Sequence, residues 1–390
     1  MTFIISGISF ILLLLYIVIL IYLRSGLNRI KHQNRSKETP FVSVIVCAHN
    51  EESNLPVCLE LLSNQNYPDH LTEIILVNDR STDQTKEIIE KKCSSDKRFT
   101  CIHIYDKIEE FAPKKRAIDT AIRQSKGDII LLTDADGRPA QEWIRTMVSY
   151  YTTETDMVIG YAPYRVKPER HISKQILSLE YLSHAVIAAA STGIGYPLTC
   201  VGTNMSYRKS VYFEVEGFGE FKSHLSGDDD LFLTRVREFK KYKIGYAADA
   251  GSHVYNNPPR LWRKFIHQRL RYASKGFDYP RKVTFGLILY FLFNLFLFTG
   301  LISFVFSTSF FIASVAIFLL KAIAEFSVMQ KGTEVLNDKR YLKLFPIAAF
   351  LHIPYVLIFA ILGQMKLYYW AGNSAKTENK YNNSMAIKND

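Results

Sequence analysis

The stretch KGDIILLTDADGRP, residues 126–139, decides the fold. Ile129 to Thr133 are apolar, mostly β-branched and without alternation, which predicts a buried strand. The strand runs into Asp134-Ala135-Asp136, and Gly137 and Pro139 stop the chain from continuing in either regular form. Two carboxylates one residue apart at a strand end are poorly placed for core packing. They are well placed to hold a hard divalent cation that also binds phosphate oxygens. Short acidic turns are common, so the weight of that reading comes from the rest of the chain.

Upstream, FVSVIVCAHNEESNL reads as a strand from Phe41 to Cys47, then a polar loop, His49 to Glu52. Ser53 or Asn54 caps a helix running through Leu61. EIILVNDRSTDQT repeats the plan, with strand Ile74–Val77, polar turn Asn78–Asp83 and a helix from Thr85. A third repeat has strand Thr100–Ile104 and helix Lys114–Gln124, ahead of the acidic strand. Strands alternating with helices predict an α/β fold, a parallel sheet with helices on both faces. Such sheets bind ligands off the C-terminal ends of their strands. The clusters Asn50-Glu51, Asn78-Asp79 and Asp134-Asp136 all fall there. Ordinary loop polarity accounts for each cluster alone, but not for acidic residues in all three.

Beyond Trp143 the alternation weakens. Asp156–Tyr161 reads as a strand, residues 172–192 as a helix, and Gly202-Thr203-Asn204 as a small-residue loop. In SGDDDLFLTRV, Asp228, Asp229 and Asp230 open a helix. The helix dipole favours acids there. Three in a row exceed what capping needs, and like charges together raise at least one pKa, which suits a general base.

The 390 residues carry a net charge of +11, with 48% hydrophobic residues. A basic chain fits nucleic acid or an anionic membrane, and the apolar runs decide for the membrane and against nucleic acid. Residues 3–23 are uncharged and long enough to span a bilayer. Without a basic leader or cleavage site they read as an anchor. Residues 283–320 hold 38 more uncharged positions, about twice the ~20 that one crossing needs, so a helical hairpin turning near Ser303–Ser309 is expected. Residues 344–365 form a last candidate, with two prolines and a histidine. Basic clusters at Arg24 to Lys37, Arg281-Lys282 and Lys339 to Lys343 put the soluble region on the cytoplasmic side of four spans. The tail then lies outside, or inside if residues 344–365 are re-entrant. Lys321 and Glu325, i and i+4, are expected to snorkel near a span end; with His352 they make too poor a pathway for a transporter. The five cysteines match no zinc motif and read as reduced, buried small hydrophobes.

The expected organisation is an anchor at 1–24, a basic linker at 25–40, an α/β domain at 41–257, an amphipathic interface helix at 258–282, membrane helices at 283–365 and a polar tail at 366–390. Residues 258–282 hold eight Lys/Arg and one acid, with Trp262, Phe265, Ile266 and Leu270 at helical spacing. Gln268, Arg271 and Tyr272 share one face.

Taken together, these motifs resemble the membrane-bound branch of glycosyltransferase family 2, over residues 40–280 and in the family's order. The resemblance implies a GT-A nucleotide-sugar-binding domain. On it, Ala48, Asn50 and Glu51 would meet the nucleoside and Asp79 the base. Lys114, in KKRAIDTAI, resembles the lysine of a K-x-x-A-L stretch near the diphosphate. Asp134 would face the nucleotide, and Asp136, with Asp134, a Mg²⁺ or Mn²⁺ ion. Gly202 and Asn204 resemble the loop near donor sugar and acceptor. GDDDL matches the catalytic-base motif, with Asp229 as base and Asp228 beside it. QRLRY is similar to Q-x-x-R-W, through Gln268 and Arg271. Two positions depart from the pattern: Asn78 stands where aspartate is common, and Tyr272 replaces tryptophan. The implied activity is inverting transfer from a nucleotide sugar to a lipid or lipid-linked acceptor at the cytoplasmic face of the cell membrane. UDP is implied as the nucleotide, and no residue excludes GDP. A processive polysaccharide synthase and an inactive nucleotide-sugar-binding partner are the alternatives.

Overall fold

The computed structural model describes residues 2–374 apart from 109, 167–170, 260, 366, 368, 371 and 372. Most of the expected polar tail lies outside the described residues. The chain opens with α1 (Thr2–Lys31), β1 (Val42–Ala48), α2 (Leu55–Ser63), β2 (Thr72–Asp79), α3 (Thr85–Ser95) and β3 (Phe99–Ile104). Next come α4 (Pro113–Gln124), β4 (Ile129–Asp134), β5 (Arg138–Pro139), α5 (Trp143–Ser149), β6 (Met157–Gly160), α6 (Ile172–Gly193) and β7 (Met205–Arg208). α7 (Lys209–Glu214), α8 (Asp230–Glu238), β8 (Ile244–Ala247), β9 (Val254–Tyr255) and α9 (Trp262–Ser274) follow, then α10 (Arg281–Leu301), α11 (Thr308–Val335) and α12 (Phe345–Gln364). The chain divides into two units.

The first unit is Leu23–Pro258 with Lys331–Lys339. Its seven-stranded sheet has the order β3-β2-β1-β4-β7-β6-β8. The sheet is mixed, not parallel as the strand–helix alternation predicts: β7 runs antiparallel to both β4 and β6. Local periodicity reports burial and is blind to strand direction, and the long excursion through α6 lets the chain return the other way. Val42, Val44 and Val46 of β1 share a core with Leu55, Cys58, Leu59 and Leu62 of α2 and Trp143, Ile144, Met147 and Val148 of α5. The α4 helix lies against β1 and β2 and buries Ala117, Ile118, Ala121 and Ile122. Parallel register sets Ala48 beside Asn78 and Cys47 beside Asp134, which aligns three strand ends at one edge. Asn78 and Asp79 close β2 rather than forming a turn.

The expected basic linker at 25–40 begins inside a helix, since α1 runs on to Lys31. Arg24 ends the apolar run but not the helix, because Leu27 and Ile30 are buried. A Cβ on Gly26 would strike the Ala190 carbonyl, and one on Gly193 would strike the Gly26 carbonyl, so α1 and α6 cross backbone to backbone. Arg35 then stacks 3.2 Å from the centre of the Tyr150 ring and pairs with Asp249 at 2.6 Å.

The second unit is Met1–Tyr22, Pro259–Gln330 and the chain from Arg340. Leu13, Phe293, Leu297, Ile317 and Ile353 form its apolar cluster. Among the described residues, four helices are long and apolar enough to cross a membrane: Gly7–Lys31, Arg281–Leu301, Thr308–Val335 and Leu342–Gln364. The last continues through Pro354. Lys321 does not snorkel. It lies midway along α11, fully buried, 2.7 Å from Glu325, which also accepts from the Tyr16 hydroxyl at 2.6 Å. α11 runs on to Val335, so the expected span end is a helix interior, where an ionisable side chain needs a partner.

Candidate active site

The loops after β1 and β2 are stitched together at the aligned edge. Ala48 is buried. His49 Nδ1 lies 2.6 Å from the Asp79 carbonyl, the Asn50 amide donates to Ser81 Oγ at 3.1 Å, and Asn50 Oδ1 accepts from the Thr82 amide at 2.8 Å. The Glu51 amide donates to Thr85 Oγ1 at 2.8 Å, while Glu51 Oε2 accepts from Asn54 at 2.8 Å. Asn54 therefore makes no side-chain cap on α2. Asp79 is buried, and Arg80 grips it through Nε to Oδ1 at 2.7 Å and Nη2 to Oδ2 at 3.1 Å. Beside this pair lies a shallow surface depression, lined by Phe111, Lys107 and Arg116 among others.

The acidic motifs meet at Lys114, in the first turn of α4. Its ammonium lies 2.7 Å from Asp134 Oδ1 and 2.8 Å from Asp228 Oδ2. Burial works against the charge, but the two carboxylates hold the Lys114 ammonium well above its usual range. Thr203 donates its hydroxyl to Asp134 Oδ2. The Gly202 amide donates to Asp229 Oδ2 at 3.2 Å, and Asp229 Oδ1 accepts from the Asp230 amide at 2.7 Å, capping α8. A Cβ on Gly202 would sit 3.0 Å from Asp228 Oδ2, close enough that this carboxylate would have to shift slightly.

Among the described residues no cation pairs directly with Asp136. Burial first, then the charges of Asp134 and Glu51, push its carboxyl up to about 7. A divalent cation is what such crowded carboxylates accommodate. Among the described residues no three His, Cys, Asp or Glu side chains converge to hold a metal alone. A cation at Asp136 therefore fits this site together with phosphate oxygens of a ligand.

Not every expected site residue faces open space. Asn204 is fully buried; its amide hydrogens go to the Tyr161 and Ser252 carbonyls, both at 2.8 Å, and its Oδ1 accepts from Trp143 Nε1 at 3.0 Å. With both hydrogens committed, it braces the loop behind Gly202 and has none to offer a sugar. Gln268, Arg271 and Tyr272 belong to the second unit, on α9, where Gln268 Nε2 donates to the Tyr272 hydroxyl at 3.2 Å. Sequence reasoning missed Arg80 and Thr203. Both sit inside quoted motifs, but only the tertiary contacts show which carboxylate each engages.

The family model described as Glycosyl transferase family 2 matches residues 43–215. The chain is 25% identical over 292 residues to the probable glycosyltransferase YdaM of Bacillus subtilis (strain 168), covering 71% of this chain and 67% of that protein. It is 26% identical over 255 residues to a dolichyl N-acetyl-alpha-D-glucosaminyl phosphate 3-beta-D-2,3-diacetamido-2,3-dideoxy-beta-D-glucuronosyltransferase of Methanococcus voltae, covering 60% and 73%. The mannosyltransferase PcManGT from Pyrobaculum calidifontis, solved with GDP-Man and Mn²⁺, shares the fold with a TM-score of 0.56 at 17% identity, over 93% of this chain and 99% of that one. With this family match, these relatives and this mixed sheet, residues 43–215 form a glycosyltransferase family 2 domain on a GT-A-like fold, and the chain is a glycosyltransferase.

Proposed function

We propose that the protein transfers a sugar from a nucleotide-sugar donor, a UDP-sugar, to a lipid or lipid-linked acceptor at the cytoplasmic face of the cell membrane, with inversion. One observation carries the reading: a single ammonium, Lys114, lies within 2.8 Å of both Asp134 and Asp228, while the Gly202 amide holds Asp229. The donor-side and base-side acids thus converge on one strand edge. The four apolar helices and the lipid-linked acceptor named for the Methanococcus voltae relative support an acceptor drawn from the bilayer.

In this mechanism the nucleoside lies along Ala48, Asn50 and Glu51, with its base toward Asp79 and Arg80. Mg²⁺ or Mn²⁺, held by Asp136 with Asp134 beside it, would neutralise charge on the leaving diphosphate. Lys114 supplies a second positive charge there; Arg271 is given a like role only by its likeness to Q-x-x-R-W. Asp229 accepts the proton of the acceptor hydroxyl. The hydroxyl oxygen attacks the anomeric carbon from the face opposite the diphosphate, the C–O bond to phosphate breaks, and the configuration inverts. By likeness to Q-x-x-R-W, Gln268 is assigned to the catalytic set and Tyr272 to the acceptor side.

The test is nucleotide release by the detergent-purified full chain across UDP- and GDP-sugars with Mn²⁺ or Mg²⁺, with and without membrane lipid extract. Lipid-stimulated release from one donor, lost in Asp229→Asn, is expected. Donor binding without turnover under every condition would overturn the transferase reading of this site. Membrane sidedness is read separately, from labelling of the exposed Cys101 by an impermeant thiol reagent on sealed vesicles of known orientation.

A further inference from the structure

The loop that carries Asp228 and Asp229 is fastened from behind by a residue outside the acidic motifs. Lys115 follows Lys114 on α4 and falls between the matched positions of the K-x-x-A-L stretch. It is 1% exposed. Its ammonium donates to the Phe221 carbonyl at 2.5 Å and to the Ser226 carbonyl at 2.9 Å. Beside it, the Ala112 amide donates to the Lys222 carbonyl at 2.8 Å. The start of α4 therefore grips the segment 221–226 at three backbone points.

A buried ammonium is costly to desolvate unless hydrogen bonds compensate it. An apolar side chain would fill the same space without that cost, so the charge calls for a reason beyond packing. Two of its acceptors are main-chain oxygens five residues apart. They close the loop immediately before Gly227, whose φ of +84° and whose closeness to the Leu231 side chain both require glycine. The next residues are Asp228 and Asp229. With the turn locked at Ser226, the two carboxylates are delivered to Lys114 and to the Gly202 amide.

We infer that Lys115 is a positioning residue for the transfer step, latching the 221–226 backbone so that Asp229 is held at the strand-end site. This rests on the reading of Asp229 as the base. The neighbouring lysines divide the work: Lys114 meets side chains that face the ligand, and Lys115 holds the backbone that carries them. A displacement of about 1 Å at a reacting group costs on the order of 100-fold in rate, which is the scale on which such a latch acts.

The experiment compares the full-length wild type with Lys115→Met, which keeps volume and removes the donors, and Lys115→Gln, which restores amide hydrogens. Four readouts are taken: steady-state nucleotide release, donor affinity, melting temperature, and trypsin cleavage after the exposed Lys222. For Lys115→Met, kcat falls about 10- to 100-fold while donor Kd stays within about twofold. Cleavage after Lys222 accelerates, and Lys115→Gln recovers part of both losses. Wild-type kcat in Lys115→Met would overturn the inference. So would donor affinity and melting temperature falling in step with kcat, the mark of a purely structural lysine. Should Lys115→Met fail to fold, Lys115→Gln against wild type carries the same comparison. Cleavage after Lys222 needs no substrate, so unaltered cleavage in a folded variant counts against the latch, whereas absent turnover in the wild type counts against the transferase reading.

Discussion

The Tyr161 hydroxyl donates to Asp338 Oδ2 at 2.9 Å, across 177 positions of the chain. Asp338 lies just beyond α11, and Tyr161 just beyond β6. Both are buried, and the Tyr161 carbonyl in turn accepts from Asn204. The short return segment after an apolar helix is therefore part of the unit that carries the acidic motifs. Tyr161→Phe removes one donor from a buried carboxylate and is expected to cost about 1–3 kcal/mol. A lowered melting temperature of the detergent-solubilised chain is the readout; an unchanged one would show that the contact contributes nothing.

Asp229→Asn is expected to reduce transfer by about 100-fold or more, the scale of a lost general base. Asparagine also caps helices well, so the bond to the Asp230 amide survives and folding is spared. Nucleotide affinity should match the wild type. Retained turnover would remove Asp229 from the base role.

Asp136→Asn should weaken nucleotide binding measured with Mn²⁺ or Mg²⁺ and leave binding measured in EDTA unaltered. The Asp136 carboxyl is half-buried, with the charges of Asp134 and Glu51 acting on it, and lacks the Lys114 contact that Asp134 enjoys. A metal titration of nucleotide affinity with the same midpoint in variant and wild type would refute the assignment.

Asn204→Ala tests a brace rather than a binding group. It strips a partner from the buried Trp143 indole and from two carbonyls, at an expected cost of about 2–5 kcal/mol. The folded fraction should bind donor with wild-type affinity. A stable variant with selectively lost donor affinity would instead return Asn204 to the ligand site.

Acid stability has an identifiable contributor in Asp96. Its hydrogen bonds from the Arg98 guanidinium, Nη2 at 2.8 Å and Nε at 3.1 Å, hold its carboxyl well below the usual range. A carboxyl whose folded pKa is depressed contributes stability above its unfolded value, ~4, and loses that contribution as pH falls through the folded value. Asp96→Asn should therefore destabilise the protein at pH 7 by on the order of 1–3 kcal/mol, with the gap to wild type narrowing below pH ~4. Melting curves across that range decide it; a gap independent of pH would point to packing instead.

Much of the site was legible because its chemistry is local in sequence. Asp134 and Asp136 stand at the end of an uninterrupted apolar run, and Asp228 and Asp229 at the start of an amphipathic helix, so pattern alone located both. What pattern could not show was availability. Asn204 and Gly202 are neighbours in one motif, yet one is sealed behind the loop and the other offers its amide to Asp229. Lys114 and Lys115 are indistinguishable as letters, and α4 sends one to carboxylates and the other to carbonyls.

The sequence by itself determined the α/β core, the acidic strand edge and the four apolar helices, because burial period, turn residues and hydrophobic length are properties of short windows. The tertiary structure alone decided the direction of β7, the docking of residues 25–40 and the burial of Lys321. Each depends on which distant segment lies alongside: β4 and β6 for β7, Tyr150 for Arg35, Glu325 and Tyr16 for the membrane lysine. Such pairings are set by the packing of the whole chain, which no window of residues records.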